Sequence, residues 1–183
     1  MKLEKLEKTV AIKEGVSVQK EGTAITVKGP KGEISRDFPS KRISVEVKGS
    51  EILISSKNVT KREKTLMGTY QAHLRNMVQG VEEPFVYKLK VCSSHFPMNV
   101  SVNNGKLVVK NFIGEAVPRE MSLPQGADVK VEGDEIVIES PDKEIAGRIA
   151  SNAEQLTRRT AFDRRIFQDG IYITQKGKKQ ITL

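Results

Sequence analysis

Ile43 to Ile54 reads Ile-Ser-Val-Glu-Val-Lys-Gly-Ser-Glu-Ile-Leu-Ile, and a near copy returns at Val129 to Ile138 as Val-Lys-Val-Glu-Gly-Asp-Glu-Ile-Val-Ile. In each copy apolar and polar residues alternate before a glycine-centred turn, and an apolar run follows it. Alternation with a period of two puts one face of a strand against a core, and a Gly-Ser or Gly-Asp turn joins it to an antiparallel neighbour. A slip of one residue would reverse every side chain, so two copies with the same phase are expected to fold alike.

Working outward, the likeness extends on both sides. Upstream, Lys106 to Glu115 lies over Ala24 to Glu33, with Gly114 falling on Gly32. Downstream the period changes: Leu66, Met67, Tyr70, Leu74 and Met77-Val78 recur at helical steps, and Ile145, Ala146, Ile149, Ala153 and Leu156 repeat them. Thr60 or Asn58 is placed to cap the first helix, and Gly80 to stop it. A repeat of about 80 residues is too long for a solenoid, so the pattern predicts two homologous domains. The expected class is α+β: residues 1–81 and 82–156 each form an antiparallel sheet covered by one helix. Residues 157–183 are left as a basic C-terminal extension without a counterpart, and deleting them is expected to leave both domains folded. Gly80 to Pro84 reads as the linker, with a protease-sensitive point near Glu82 to Pro84.

Charge is divided unevenly along the chain. Residues 1–81 carry +7, residues 82–156 carry −4, and residues 157–183 carry +5, within a total of +8. Two basic zones around an acidic body suggest a polyanion gripped at particular places. The extension sets Arg158, Arg159, Arg164, Arg165, Lys176, Lys178 and Lys179 among Phe162, Phe167 and Tyr172. Cations suit phosphates and rings suit bases or local packing, so these seven are candidate RNA contacts, with Arg165 expected to outweigh Lys179. Asp169-Gly170 reads as a turn and Ile171 to Thr174 as a strand, which argues for an ordered extension. Lys31, Lys61, Arg62 and Lys64 are candidate secondary contacts, and Lys41-Arg42 is a further basic pair. Aromatic residues make up 5% of the chain and Trp is absent, which speaks against a broad stacking platform for single strands.

Gly29-Pro30-Lys31-Gly32 matches a GXXG loop, but strands flank it on both sides, so a hairpin turn is the favoured reading. Cys92, Ser93, Ser94 and His95 raise the alternative of an enzyme using Cys92 or His95, beside that of another RNA-binding or regulatory protein. No sequence pattern supplies a nucleophile, a base and an orienting group together, so no catalytic residue is assigned. The single cysteine excludes an intrachain disulfide and a multi-cysteine zinc site. No cofactor, metal or small-molecule substrate is expected. No window is apolar enough to span a membrane, and the start lacks the apolar core of a signal peptide, which together favour the cytosol.

The tandem unit, the Ser94-His95-Phe96-Pro97 loop and the pattern from Asp163 through Arg165, Phe167 and Asp169-Gly170-Ile171-Tyr172 together resemble the L-six family of large-subunit ribosomal proteins, in its archaeal and eukaryotic branch. That resemblance implies a structural, rRNA-binding component of the large subunit. It places the second domain and its extension on large-subunit rRNA near the translation-factor-binding region, and the first domain toward the stalk base among neighbouring ribosomal proteins. It also adds Ser94, His95, Phe96 and Pro97 to the contact candidates.

Overall fold

A computed structural model describes residues 3–163 and 165–181. The chain divides into two compact units, Met1–Pro84 and Phe85–Leu183.

The first unit runs β1 (Leu3–Ala11), β2 (Ser17–Glu21), β3 (Ala24–Gly29), β4 (Gly32–Asp37), β5 (Ile43–Lys48), β6 (Glu51–Val59) and α1 (Lys61–Glu82). All strand pairs are antiparallel, but they form two three-stranded sheets, ordered β1-β6-β5 and β2-β3-β4, in place of the single sheet expected. The helix packs on strands of both sheets. Val45 pairs with Ile54 and Val47 with Ile52, so the alternation in the opening stretch sends Val45, Ile52 and Ile54 into the core with Met67, Tyr70 and Leu74.

Two helix boundaries show how packing acts on the local signals. Thr60 is the cap: the Glu63 carboxylate accepts from both its backbone N–H and its hydroxyl. Gly80 does not end α1, which continues to Glu82 because Val81 extends the apolar row into the core, and Pro84 follows two residues later. The end of α1 also explains Gly29. A Cβ there would lie 2.8 Å from both Val81 Cγ2 and the Val81 carbonyl oxygen. Lys31 N–H donates to that same carbonyl at 2.9 Å, so the GXXG segment is a hairpin turn docked on a helix end.

The second unit runs β7 (Phe85–Cys92), β8 (Asn99–Asn103), β9 (Lys106–Lys110), a 3-10 turn (Phe112–Gly114), β10 (Arg119–Ser122), β11 (Asp128–Glu132), β12 (Glu135–Ser140), α2 (Lys143–Leu156), β13 (Gly170–Lys176) and β14 (Lys179–Gln180). Strands β10-β9-β8 make one sheet and β11-β12-β7-β13-β14 the other. Unit for unit, β7, β12 and β11 occupy the places of β1, β6 and β5. The region read as an extension departs from expectation here. Strand β13 pairs along β7, and Ile171 and Ile173 enter the core at 1% and 5% exposure. Removing residues 170–176 would uncover one edge of β7 and the core beneath it. The expectation that both domains survive that deletion is therefore corrected. The charge count could not show this, because the apolar positions of β13 sit between two groups of cations.

Candidate nucleic-acid interface

The β7–β13 register places Gly170 opposite Cys92, so Asp169 emerges beside the Ser93–Met98 loop that follows β7. Its side chain is 3% exposed. Oδ1 accepts the backbone N–H groups of Ser94 at 2.6 Å and His95 at 3.0 Å. Oδ2 lies 3.0 Å from the Ser94 hydroxyl and 2.5 Å from His95 Nδ1. Burial by itself pushes this carboxyl up, but the hydrogen bonds from His95 and Ser94 together outweigh it and hold Asp169 well below the usual carboxylate range. One buried anion thus fixes the backbone and both polar side chains at the start of the loop. Farther along, the Asn111 side-chain amide donates to the Pro97 carbonyl at 3.0 Å, and Phe96 stays about half exposed.

A ledge of rings continues from His95. The imidazole stacks on Phe167 with centroids 4.7 Å apart, Phe162 meets Phe167 edge-on at 4.8 Å, and the Arg159 guanidinium lies 4.3 Å above Phe162. Below them is a cleft of about 340 Å³ lined in part by Thr157, Arg158, Arg159, Phe162, Phe167 and Tyr172. Thr157 ties the floor: its Oγ1 accepts the Ile171 N–H at 2.9 Å and donates to the Glu154 carbonyl at 3.3 Å. Gly170 makes this crossing possible, with φ at +155° and Thr157 Oγ1 and the Tyr172 ring only 3.4 Å from where a Cβ would stand.

The geometry does not support nucleophilic catalysis. In a working triad the hydroxyl and the carboxylate bind opposite nitrogens of the imidazole. Here Ser94 Oγ (3.1 Å) and Asp169 both face Nδ1, so no proton relay from hydroxyl to carboxylate exists. Cys92 ends β7 half-buried.

The family profile described as Ribosomal protein L6 matches residues 12–83 and again residues 96–170. The chain belongs to the ribosomal protein L6 family. It is 44% identical to the large ribosomal subunit protein uL6 of Nanoarchaeum equitans, with 94% of each chain covered. It is 42% identical to its namesake in Methanosarcina mazei, over 96% of this chain and 99% of the relative, and 42% identical to that of Methanothrix thermoacetophila, over 95% and 99%. This L6-family chain is not an enzyme. The two profile matches fall one in each compact unit, so the internal repeat is a repeat of the family's own domain.

Within the L6-family frame the candidate residues separate into groups. Ser94 to Pro97, Arg158 and Arg159 converge on the ledge and cleft. Arg165 is 89% exposed, but its guanidinium is bound to the Asp163 carboxylate at 2.7 Å, so it is already partnered. Arg164 lies outside the described residues. Lys176, Lys178 and Lys179 sit at the β13–β14 hairpin, six strand steps from Gly170 and so about 20 Å from the loop. In the first unit, Lys31 is exposed on the β3–β4 turn, and Lys61, Arg62 and Lys64 are exposed on the first turns of α1. The residue that sequence reasoning missed is Asp169. Its sequence signals were an acidic residue inside a basic segment and a place in the family pattern, and it was read there as part of a turn and not as a site residue.

Proposed function

We propose that this chain is a structural component of the large ribosomal subunit and that the Ser94–Pro97 loop, the Phe167–Phe162 ledge and Arg158 and Arg159 form its principal rRNA contact. The observation that carries this reading is the Asp169 clamp. It holds the start of the loop and the His95 ring in one rigid arrangement, on the same ledge as a stacked guanidinium, without any catalytic geometry. A preformed loop with a ring face and adjacent cations suits a folded RNA segment, in which phosphates meet arginine and an unstacked base meets an aromatic edge. The family resemblance further supports a position near the translation-factor-binding region, with the first unit toward the stalk base and neighbouring ribosomal proteins.

The test is binding of the full chain to large-subunit rRNA across a salt series. Arg158 has no ion pair among the described residues, so Arg158→Ala is expected to flatten the slope of log affinity against log salt by about 1 unit without altering sequence preference. Arg165→Ala is expected to do less, since Asp163 already holds that guanidinium. Unchanged affinity and slope for Arg158→Ala together with His95→Ala would place the RNA contact elsewhere.

A further inference from the structure

On the first unit, the register of β1 with β6 sets Lys5 directly opposite Lys57, and both side chains point to the solvent face of the sheet. Directly opposed like charges weaken a strand pair. Lys5 has the Glu7 carboxylate beside it, but Lys57 has no ion pair among the described residues. Lys20 and Lys41 are likewise without an ion pair among the described residues. All four line one broad groove of about 1050 Å³ with Arg42, and no carboxylate lines it. Arg42 donates through Nη1 to Glu63 at 3.1 Å, which leaves most of its five N–H donors free on a side chain that is three-quarters exposed.

The groove floor is hydroxylic. Ser44 Oγ and Ser55 Oγ stand 2.7 Å apart across β5 and β6, and the Ser44 hydroxyl also reaches the Ser55 carbonyl at 3.4 Å, so what the pair offers a ligand is oxygen lone pairs that can accept from a hydroxyl. Among the groove's lining residues there is no aromatic ring, and its one large apolar residue, Ile43, is buried. Cations with hydroxyls and no stacking surface match a ribose–phosphate backbone and do not match unstacked bases. An acidic protein surface would find no apolar centre of the kind protein interfaces carry.

We infer that this groove is a second RNA site, which binds the backbone of double-helical RNA through Lys5, Lys20, Lys41, Arg42 and Lys57, with the Ser44–Ser55 pair reaching a 2′-hydroxyl. It stands independently of the contact assigned to the second unit, because every residue in it belongs to the first. The opposed lysines weaken the free protein slightly, and a phosphate between them turns that repulsion into attraction.

The experiment follows backbone amide shifts of the full chain on addition of a blunt, mixed-sequence RNA duplex, with the matching DNA duplex and polyglutamate as separate arms. The RNA duplex is expected to move the amides of Ser44, Ser55 and Lys57, more strongly than the DNA duplex does. A Lys41→Gln/Lys57→Gln double variant is expected to lose those shifts and to flatten the salt slope by about 2 units. Each lost contact is expected to weaken binding about eightfold at 0.1 M salt. Lys57→Gln alone is expected to raise the melting temperature while weakening RNA binding, a combination that a purely structural lysine would not produce. Shifts confined to residues 94–97 and 158–172, or an unchanged slope in the double variant, would overturn the proposal. Stronger shifts of the same amides with polyglutamate than with RNA would also overturn it, in favour of an acidic protein partner.

Discussion

Replacing Asp169 with alanine tests the clamp directly. The substitution removes the acceptor of two loop amides, one hydroxyl and one imidazole nitrogen. The loop is only partly buried, so water recovers some of these bonds, and each stranded amide is assigned about 1 kcal/mol, the low end of the usual range. Adding the two side-chain bonds gives about 3 kcal/mol for the second unit. For a unit of about 100 residues that corresponds to a fall in melting temperature of about 15 °C. Asp169→Asn keeps an oxygen for the two amides and is expected to cost about 1 kcal/mol. The pH dependence has a definite sign. Asp169 has a depressed pKa in the folded chain, so its contribution is complete above the unfolded value near 4 and disappears as pH falls through the folded value. Calorimetry of wild type and Asp169→Asn from pH 7 down to about 2 should therefore show a constant gap at neutral pH that narrows below about pH 4. A melting temperature for Asp169→Ala within a couple of degrees of wild type, or a gap that stays constant into acid, would refute the reasoning.

Further outcomes follow from other contacts. Truncation after Asp169 is expected to abolish the thermal transition of the second unit, because it removes Ile171 and Ile173 from the core; Ile173→Ala alone should cost about 3 kcal/mol, read by chemical denaturation. Gly29→Ala is expected to destabilise the first unit by about 3 kcal/mol, since its Cβ would meet the Val81 side chain and carbonyl at 2.8 Å, and Gly29→Ser should do no better. Hydrogen bonds from the Thr60 hydroxyl and backbone lower the Glu63 carboxyl to about 2, so its NMR titration should be complete only in strong acid, and its support for the first unit should be present above about pH 4 and lost as pH falls through 2. Thr60→Ala should bring that titration back toward the ordinary glutamate range.

Much of the architecture was legible in the chain itself, and for a physical reason. Strand and helix periodicities are local properties, so Val45, Ile52, Ile54, Ile136 and Ile138 disclosed their buried faces from spacing alone. A duplicated pattern confirmed the reading by repeating it. Non-local pairing was what the pattern could not carry. Nothing in Ile171-Tyr172-Ile173 says that β7 is its partner, because an apolar strand fits any open sheet edge of matching phase, and the cations around it drew attention to charge. The division of each unit into two sheets was hidden for the same reason, since alternation states which face is inward but not which strand lies alongside.

The candidate site shows the same boundary. Ser94 to Pro97 and the arginines after α2 were visible as residue types in sequence. Only the β7–β13 register brought Asp169, some 75 residues away, under Ser94 and His95, and left Lys176, Lys178 and Lys179 at the far end of the strand. Asp163 lies two positions from Arg165, yet that spacing alone does not show the bidentate pairing that lessens that arginine as a phosphate ligand. The Lys5–Lys57 opposition depends on a register between strands about 50 residues apart, and no local pattern records it. Sequence determined which segments are strands and helices and where charge is carried. Tertiary structure decided which charges face one another, because that depends on strand order and register.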